Sequence, residues 1–183
     1  MQTNLADFIR DTPEGRDADA ILRKCVHCGF CNATCPTYQL LGDELDGPRG
    51  RIYLIKQVLE GRAVGERTQL HLDRCLTCRA CETTCPSGVQ YGHLVDIGRK
   101  LVDERVQRNR LSSVKRRALA MLLPRSGVFS ALLAAGRAVR PLLPARLREK
   151  VPERSSPAGA WPAARHARRM LVLAGCVQPA LGP

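Results

Sequence analysis

The hydrophobic positions of residues 48–61 recur with the period of an α-helix. The apolar side chains on the predicted face of this segment, PRGRIYLIKQVLEG, are Ile52, Ile55, Val58 and Leu59. Positions three or four residues apart share one helical face, so these side chains are expected to pack against a core. Proline suits the first turn of a helix and glycine suits its end, and these are the positions of Pro48 and Gly61. The pattern therefore predicts one long helix between these two residues.

Other segments of the first 110 residues have the same period. In GHLVDIGRKLVDERVQ, the residues predicted to share one face are Leu94, Ile97, Leu101 and Arg105. Two shorter segments, DADAILRKC and TQLHLDRC, each predict a helix that leads to a cysteine. Their expected core contacts are Ile21, Leu22, Leu70 and Leu72. This part of the sequence shows no strand-like alternation, so a mainly α-helical fold is predicted.

The pattern changes after residue 110. Short basic helices are predicted in SSVKRRALAMLL and SGVFSALLAAGRAV, interrupted by Pro124, Pro141 and Pro144. The next residues have the composition of a linker, and RRMLVLAGC resembles the opening buried strand of a further domain. The predicted parts are a helical domain over residues 1–110, a basic helical segment over 111–150, a linker over 151–169 and an incomplete domain over 170–183.

Two cysteine-rich stretches repeat with a period of fifty residues. CVHCGFCNATCP occupies residues 25–36 and CLTCRACETTCP occupies residues 75–86, with the same gaps and the same final proline. Two copies are too few for a solenoid and indicate a pseudo-twofold pair. The cysteines of this repeat are Cys25, Cys28, Cys31, Cys35, Cys75, Cys78, Cys81 and Cys85.

The spacing of these cysteines favours iron–sulfur clusters. Thiolates suit zinc or iron–sulfur clusters, but zinc sites usually use two well-separated Cys-x2-Cys pairs. Each stretch here has three cysteines at x2 intervals, then x3 and Cys-Pro, the spacing of two-cluster ferredoxins in which the fourth cysteine ligates the other cluster. Two [4Fe-4S] clusters are therefore predicted. The expected ligands are Cys25, Cys28, Cys31 and Cys85 for cluster 1, and Cys75, Cys78, Cys81 and Cys35 for cluster 2.

Zinc and disulfide bonds are the alternative interpretations of the cysteines. The first twenty residues carry charges where a secretory signal has its apolar region, so a reducing compartment is expected, in which thiols remain available as ligands. No apolar run approaches the ~18 residues of a membrane span. A soluble or peripheral protein without a transmembrane helix is therefore expected.

Some polar residues near the cysteines have two interpretations. His27, Thr77 and Arg79 lie inside the stretches, where they can tune a cluster by donating to sulfur or by adding positive charge. Loop positions that face solvent are the simpler interpretation. The segment GDELDG is expected to be a solvated loop with Asp46 near a helix N-terminus. Surface or helix-end positions are expected for His71, His93 and His166.

The net charge of +12 is unevenly distributed along the chain. Residues 1–110 hold 16 Lys and Arg against 15 Asp and Glu, whereas residues 111–169 hold 13 against 2. The basic segment indicates an acidic protein face, an anionic membrane surface or another polyanion, unless it is only a solvated surface. Nucleic-acid binding by a protein with structural clusters is a distant alternative. Single-strand binders interleave aromatic and basic residues, but this segment has only Phe129 and Trp161.

The residues around the cysteines resemble a known family. CVHCGFCNATCPTYQLLGDELDGPRGRIYLIKQVLEG followed by HLDRCLTCRACETTCPSGV closely resembles the iron–sulfur subunit of bacterial glycolate oxidase. The resemblance is strong over residues 17–110 and continues weakly to LAGCVQPAL. With a long helix between the cysteine stretches, it implies an α-helical two-cluster ferredoxin, as in the iron–sulfur subunits of succinate dehydrogenase and heterodisulfide reductase.

The resemblance also implies membership of an oxidoreductase complex. Partner subunits that carry FAD would oxidise glycolate to glyoxylate, or D-lactate to pyruvate, and this chain would pass electrons towards membrane quinone. The chain itself would hold no catalytic centre for the substrate. A cytoplasmic location, peripheral on the inner membrane, is expected. The alternatives are iron–sulfur subunits of an anaerobic glycerol-3-phosphate dehydrogenase or of a heterodisulfide-reductase-type complex.

One departure from the family concerns the end of the chain. The family continues into two cysteine-rich repeats with a Cys-Cys-Gly signature, which this sequence lacks. Cys176 matches only the opening cysteine of the first repeat. It is therefore expected to be a free, mostly buried side chain rather than a cluster ligand, and residues 170–183 are expected to be the truncated start of a cysteine-rich domain.

Overall fold

A computed structural model describes residues 1–153, 175 and 177–181. The chain forms two compact units, Met1–Arg108 and Asn109–Pro183. Among the described residues both units are built from helices and contain no strand. The mainly α-helical fold predicted from the sequence is thus confirmed.

The first unit consists of short and long helices in alternation. Its α-helices are α1 Asp7–Arg10, α2 Pro13–Lys24, α3 Phe30–Ala33, α4 Pro36–Leu41, α5 Pro48–Leu59, α6 Glu66–Asp73, α7 Ala80–Thr83 and α8 Tyr91–Arg105. A 3₁₀ turn, Glu44–Asp46, precedes α5. Helices α5 and α8 are the two long helices that the periodicity predicts, and α2 and α6 are the predicted helices that lead to Cys25 and Cys75.

The core of the first unit lies between α2, α5, α6 and α8. Helices α5 and α8 approach closely because α8 has a glycine at the contact: a Cβ built on Gly98 would lie 2.6 Å from Cγ1 of Ile55. The predicted hydrophobic core residues of α8 are buried, as are those of α2 and α5. The buried hydrophobic residues of these helices include Ile21, Leu22, Ile52, Ile55, Val58, Leu59, Leu94, Ile97, Leu101 and Val102.

Two predicted core contacts differ from the structure. Leu70 is 48% exposed, whereas Leu72 is buried, because residues two positions apart do not share a helical face. Helix α6 buries Gln69 and His71 instead. Arg105 is exposed at the end of α8, and its guanidinium lies 3.8 Å from the centroid of the Phe8 ring.

Each of the two long helices is capped at its N-terminus by a side chain from the short helix of the preceding cysteine stretch. Neither α5 nor α8 has a side-chain cap at its N-cap residue. Oδ1 of Asn32 accepts from N of Arg49, the second residue of α5, at 3.4 Å. Oε1 of Glu82 accepts from N of Gly92, the second residue of α8, at 2.6 Å. Since Asn32 and Glu82 are fifty residues apart, the capping residues are equivalent in the repeat, whereas the capped residues Arg49 and Gly92 are forty-three apart because the connection between the cysteine stretch and the long helix is shorter in the second half.

The second unit has helices, and the described helices between residues 110 and 148 bury no side chain. Its helices are α9 Arg110–Leu122, α10 Ser126–Val139, α11 Ala145–Arg148 and α12 Gln178–Leu181, with a 3₁₀ turn at Arg140–Leu142. Helices α9 and α10 bury no residue and expose several large hydrophobic side chains. No single helix in the described part of the chain is long and apolar enough to cross a membrane. The pair Arg110–Leu122 and Ser126–Leu142, bent by 111°, passes that test only together.

Arginines of α10 and its following turn hold the next segment in place. Nε and Nη2 of Arg137 donate to the carbonyl oxygens of Pro152 and Glu153, at 3.2 and 3.0 Å. Nε of Arg140 donates to the carbonyl oxygen of Val151 at 3.2 Å. The predicted linker beyond residue 153, the predicted strand near residue 170, His166 and Cys176 lie outside the described residues.

Candidate iron–sulfur centres

Each cysteine stretch turns through left-handed backbone at two equivalent positions. In the first stretch these are His27 at φ 60° and Gly29 at φ 88°, and in the second they are Thr77 at φ 55° and Arg79 at φ 58°. Glycine adopts this conformation freely, but a residue with a Cβ does so at a cost. Its occurrence at three non-glycine residues indicates that the path of the chain around the cysteines requires it.

The left-handed turns bring backbone amides to sulfur. N of Thr77 donates to Sγ of Cys75 at 3.4 Å. In the first stretch, burial raises the pKa of the Cys25 thiol, and the backbone N–H of His27 opposes that rise. The hydroxyl of Thr77 instead accepts from Nη1 of Arg99 at 3.0 Å. In this stretch, therefore, it is the backbone amide of Thr77 that reaches sulfur, while its side chain anchors the loop to α8.

An arginine fills the equivalent space in each half, but it comes from different elements. A Cβ on Gly29 would lie 2.7 Å from Nη1 of Arg49, which belongs to α5. A Cβ on Gly92 of α8 would lie 2.6 Å from Nε of Arg79, which belongs to the loop. The arginine and the glycine have thus changed places between the two halves, and each guanidinium lies where a cysteine loop meets the start of a long helix.

The first of two cavities collects cysteines from both stretches. It encloses about 430 Å³, and the predicted cluster 1 ligands Cys25, Cys28, Cys31 and Cys85 all line it. Apart from sulfur its lining is mostly apolar, with Val26, Pro48, Ile52, Pro86 and Val89. The fold therefore brings the fourth cysteine of the second stretch beside the first three cysteines of the first stretch.

The second cavity is lined by the other predicted set of four cysteines. It encloses about 300 Å³, and the predicted cluster 2 ligands Cys35, Cys75, Cys78 and Cys81 all line it. Its lining includes two cationic side chains, Arg51 and Arg79, and the hydroxyl-bearing Thr37. The two cavities share part of their lining, namely Pro48, Cys81 and Tyr91.

The thiols around the cavities are suited to a metal-containing group rather than to disulfides. None of the eight cysteines of the two stretches forms a disulfide bond. Burial, with a contribution from neighbouring cysteines, raises the pKa of Cys31 to about 11 and that of Cys81 to about 12. Since thiolates are the metal ligands, a strongly positive metal is needed to hold such buried groups deprotonated at neutral pH. Their chemistry therefore fits bound metal.

The separation of the sulfur atoms fits a multi-atom cluster better than a single ion. Zinc holds each thiolate at about 2.3 Å in a tetrahedron, which places the sulfurs about 3.8 Å apart. Among the described residues, the group whose ligand atoms all lie within 4.8 Å of one another is Asp43, Asp46 and His71, and no trio of cysteines does so. The described cysteines therefore do not present the close sulfur spacing of one zinc site, and their x2, x2 and x3 spacing along the sequence is that of iron–sulfur ligands.

Asp46 forms a buried charge network beside the second cavity. The residue is 0% exposed, so its predicted position in a solvated loop is wrong. Its Oδ1 lies 3.0 Å from Nδ1 of His71 and 3.6 Å from Nη2 of Arg51, and its Oδ2 accepts from Nη1 of Arg74 at 2.7 Å. Burial acts to raise the pKa of Asp46, but bonds to His71 and Arg74 outweigh it and hold that pKa below its usual value. These partners account for the close approach to His71 without a metal ion.

His71 lies in the last turn of α6, one of its two predicted positions, but it is not on the surface. It is buried, and its backbone oxygen accepts from Nε of Arg51 at 2.7 Å. His93, in contrast, is exposed and lies 3.4 Å from Oδ2 of Asp17, as a surface position predicts. The difference arises because α6 turns His71 inward against the 3₁₀ turn that carries Asp46.

Comparison with known proteins places the cysteine region in a described domain family. Residues 21–89 match the model of the 4Fe-4S dicluster domain. This segment contains both cysteine stretches and the whole of α5. Residues 21–89 are thus similar to this domain. The match supports iron–sulfur clusters as cofactors, and the matched segment lies entirely within the first compact unit.

Two curated relatives extend the comparison beyond the dicluster domain. The chain is 58% identical over 183 residues to the "Glycolate oxidase iron-sulfur subunit" of Escherichia coli strain K12, covering 100% of this chain and 45% of that protein. It is 38% identical over 85 residues to the "Probable glycolate oxidase iron-sulfur subunit" of Bacillus subtilis strain 168, covering 45% of this chain and 19% of that protein. The resemblance noted in the sequence is confirmed, and the chain spans less than half the length of these relatives. No solved structure matches.

Sequence reasoning missed several residues that lie beside the cysteines. Tyr91 is buried and its hydroxyl donates to Sγ of Cys75 at 3.5 Å. Burial is the main reason that its pKa lies well above the usual value, so the hydroxyl keeps its proton. Arg51 had a detectable signal, since it precedes Ile55 by four residues and therefore shares the apolar face of α5. Tyr91 and Asp46 carried no comparable signal.

Proposed function

We propose that this chain is the iron–sulfur electron-transfer component of a glycolate-oxidising complex. The observation that carries the proposal is the identity of 58% over the whole chain to a glycolate oxidase iron–sulfur subunit, together with a dicluster domain at residues 21–89. In this proposal, partner subunits that bind FAD oxidise glycolate to glyoxylate, with D-lactate as a further substrate. Electrons then pass through this chain towards quinone.

The proposed complement is two [4Fe-4S] clusters with crossed ligands. Cluster 1 is held by Cys25, Cys28, Cys31 and Cys85, and cluster 2 by Cys75, Cys78, Cys81 and Cys35. The composition of the two cavities supports this assignment, because each is lined by one complete set. The only cysteine that lines both cavities is Cys81, and it follows two other cysteines of its stretch at the x2 spacing of a cluster 2 ligand.

When bound, the clusters accept and release electrons one at a time. The protein residues supply the ligands, the amide donor at Thr77 and the hydroxyl donor of Tyr91. Hydrogen bonds to the ligand sulfurs stabilise the more negative state of a bound group. The buried Ile52 and Val89 form an apolar part of the first cavity's lining, whereas Val26 and Cys28 are exposed. No substrate chemistry is assigned to the described residues, which is why the oxidation of glycolate is given to the partners.

The second unit is proposed to dock on an anionic surface, either a partner subunit or the inner face of the cytoplasmic membrane. Its excess of 13 basic over 2 acidic residues between positions 111 and 169 supports this proposal. We further propose that residues 170–183 begin a cysteine-rich domain of the kind that the relatives contain. The four-part division predicted from the sequence is retained as part of this proposal.

Metal analysis tests the cofactor proposal directly. Protein purified without oxygen is expected to contain about eight iron and eight acid-labile sulfide per chain, as two four-iron clusters require. The Cys28→Ser and Cys78→Ser variants, one from each proposed ligand set, are each expected to lose one cluster and keep the other. Zinc without acid-labile sulfide would refute the proposal.

A genetic test addresses the complex. Deleting the gene is expected to abolish glycolate-dependent reduction of an artificial dye in cell extracts, and the wild-type gene is expected to restore it. A gene that encodes serine at Cys28 and Cys78 together is expected not to restore electron transfer to quinone. Unchanged glycolate oxidation in the deletion strain would assign the chain to another oxidoreductase, even if the metal analysis succeeds.

A further inference from the structure

The two cavities differ in their charge although they arise from a repeat. The first is mostly apolar, and its one arginine, Arg49, is paired with Glu44 at 2.6 Å and is partly exposed. The second is lined by Arg51, whose side chain is 1% exposed. A buried guanidinium is unusual because removing its charge from water is costly unless it has compensating contacts. The contacts of Arg51 are therefore informative.

Several groups hold Arg51 in place, but one nitrogen atom of its guanidinium has no hydrogen-bond partner. Its Nε donates to the backbone oxygen of His71 at 2.7 Å, and its Nη1 donates to Oγ1 of Thr37 at 3.1 Å. The same Nη1 lies 4.0 Å from Sγ of Cys35. Its Nη2 is buried and has no hydrogen-bond partner within the described protein, although Oδ1 of Asp46 lies 3.6 Å away. An incompletely satisfied cation therefore lines the cavity beside one of its cysteines.

The carboxylate of Asp46 does not neutralise this cation. Asp46 is also the partner of Arg74, at 2.7 Å, and of His71. Arginine stays protonated in proteins. Two guanidiniums thus share one carboxylate, so Asp46 cannot balance both charges. The Arg51 side chain is 1% exposed and lies next to Cys35, whereas the Arg74 side chain is 41% exposed.

The repeat itself indicates that the fold does not need an arginine at this position. Pro48 and Tyr91 are the first residues of α5 and α8, and both line the two cavities. Counting from them, Arg51 of α5 corresponds to Leu94 of α8, which is 0% exposed. An apolar side chain therefore occupies the equivalent position of the other long helix, and Leu94 is not among the residues that line the first cavity. The arginine beside the second cavity is a difference that packing alone does not require.

We infer that Arg51 gives the cluster held by Cys75, Cys78, Cys81 and Cys35 a higher reduction potential than the cluster held by Cys25, Cys28, Cys31 and Cys85. Reduction adds one negative charge to a bound cluster, and a nearby buried cation stabilises the added charge. The low dielectric of the interior strengthens that interaction. Arg51 thus acts on the bound cluster through its charge, and the cluster in the second cavity is expected to be reduced first. This inference rests on the proposed function, since it requires both clusters.

Redox titration followed by electron paramagnetic resonance tests the inference on the full protein. The signals are assigned with Cys28→Ser and Cys78→Ser, which each alter one proposed cluster. In the wild type, the signal that Cys78→Ser alters is expected to appear at the higher potential. In Arg51→Met, the reduced-to-oxidised ratio of that cluster at a fixed solution potential is expected to fall about tenfold, a shift of about 59 mV for one electron. The other cluster is expected to shift much less.

Two further variants separate charge from structure. Arg51→Lys keeps a positive charge and is expected to preserve the order of the potentials, even if Arg51→Met fails to assemble the second cluster. Arg49→Met removes an arginine from the first cavity that Glu44 already neutralises, so a smaller shift of the first cluster is expected. Iron and sulfide contents are measured in every sample. A wild-type protein whose first cluster has the higher potential would overturn the inference, as would an unchanged potential in Arg51→Met with full metal content. A wild type without two clusters would instead overturn the proposed function.

Discussion

The hydroxyls of Thr34 and Thr84, which occupy equivalent positions in the two cysteine stretches, are 3.3 Å apart. Oγ1 of Thr34 also donates to the backbone oxygen of Ala80 at 3.3 Å. The two halves therefore meet at the residue that precedes the fourth cysteine of each stretch. Because Cys35 and Cys85 follow these threonines directly, this contact carries each of them to the cavity of the opposite half.

Replacing Cys35 is predicted to remove the distant cluster and spare the near one. In Cys35→Ser, iron content is expected to fall from about eight to about four per chain, with the loss in the cluster held by residues 75–81. Iron analysis and paramagnetic resonance measure this outcome. Cys176→Ser is the matched control, because a cysteine that is not a ligand should leave the iron content unchanged. Loss of the cluster held by Cys25, Cys28 and Cys31 alone would contradict the crossed assignment.

The buried carboxylate of Asp46 is predicted to stabilise the first unit. Asp46→Asn leaves buried cations without their partner, which costs about 3–5 kcal/mol. An unfolding temperature lower by more than about 10 °C is expected for a unit of this size, as measured by circular dichroism without oxygen. Asp17→Asn is the control, since Asp17 belongs to an exposed pair with His93, and such pairs contribute about 0–1 kcal/mol.

The contribution of Asp46 is also predicted to depend on pH. Its pKa is below the usual value in the folded protein, so its contribution is fully present above the unfolded-state pKa of about 3.9. The contribution is lost as the pH falls through the lower, folded-state pKa. The stability difference between wild type and Asp46→Asn should therefore be constant between about pH 6 and 7 and shrink below about pH 4. A difference that grows on acidification would contradict this account.

The close contact of α5 and α8 is predicted to depend on Gly98. A Cβ there would lie 2.6 Å from Cγ1 of Ile55, so Gly98→Ala is expected to destabilise the first unit by about 1–3 kcal/mol through overpacking. Adding Ile55→Ala should relieve the clash, so that the double variant loses less than the sum of the single variants. Gly127→Ala is the control, because no atom lies within 4 Å of its added Cβ. Additive losses would show that the two residues are not in contact.

Basic residues of α9 are predicted to mediate binding to an anionic surface. Changing both Lys115 and Arg117 to Ser should weaken binding to vesicles that contain phosphatidylserine by about 2 kcal/mol, roughly 30-fold, at low salt. The control changes the exposed Arg62 and Arg67 of the first unit to Ser. Arg137 and Arg140 are unsuitable for this test because they bond the segment of residues 151–153. Equal weakening by both pairs would indicate an effect of net charge rather than a docking surface.

The sequence alone determined the parts of this protein that follow local rules. The period of apolar residues predicted α5 and α8, with Pro48 and Gly61 at the limits of α5, because helix periodicity and end preferences act within a few residues. The cysteine spacing predicted two four-cysteine sets by a rule that covalent reach imposes. The crossed ligand sets remain a prediction, and the two cavities support it.

The tertiary structure decided the features that depend on which residues meet across the fold. Asp46 was expected in a solvated loop and His71 on a surface or at a helix end, because a short acidic segment and an isolated histidine usually lie there. Both are buried, because the 3₁₀ turn packs against α6 and the guanidinium of Arg51 takes the place of water beside them. The charge difference between the two cavities likewise depends on Arg51, the buried one of the two arginines that line the second cavity, in a register where the other half has Leu94. A repeat in sequence specifies a pair of similar sites, and only the packing between its halves makes those sites different.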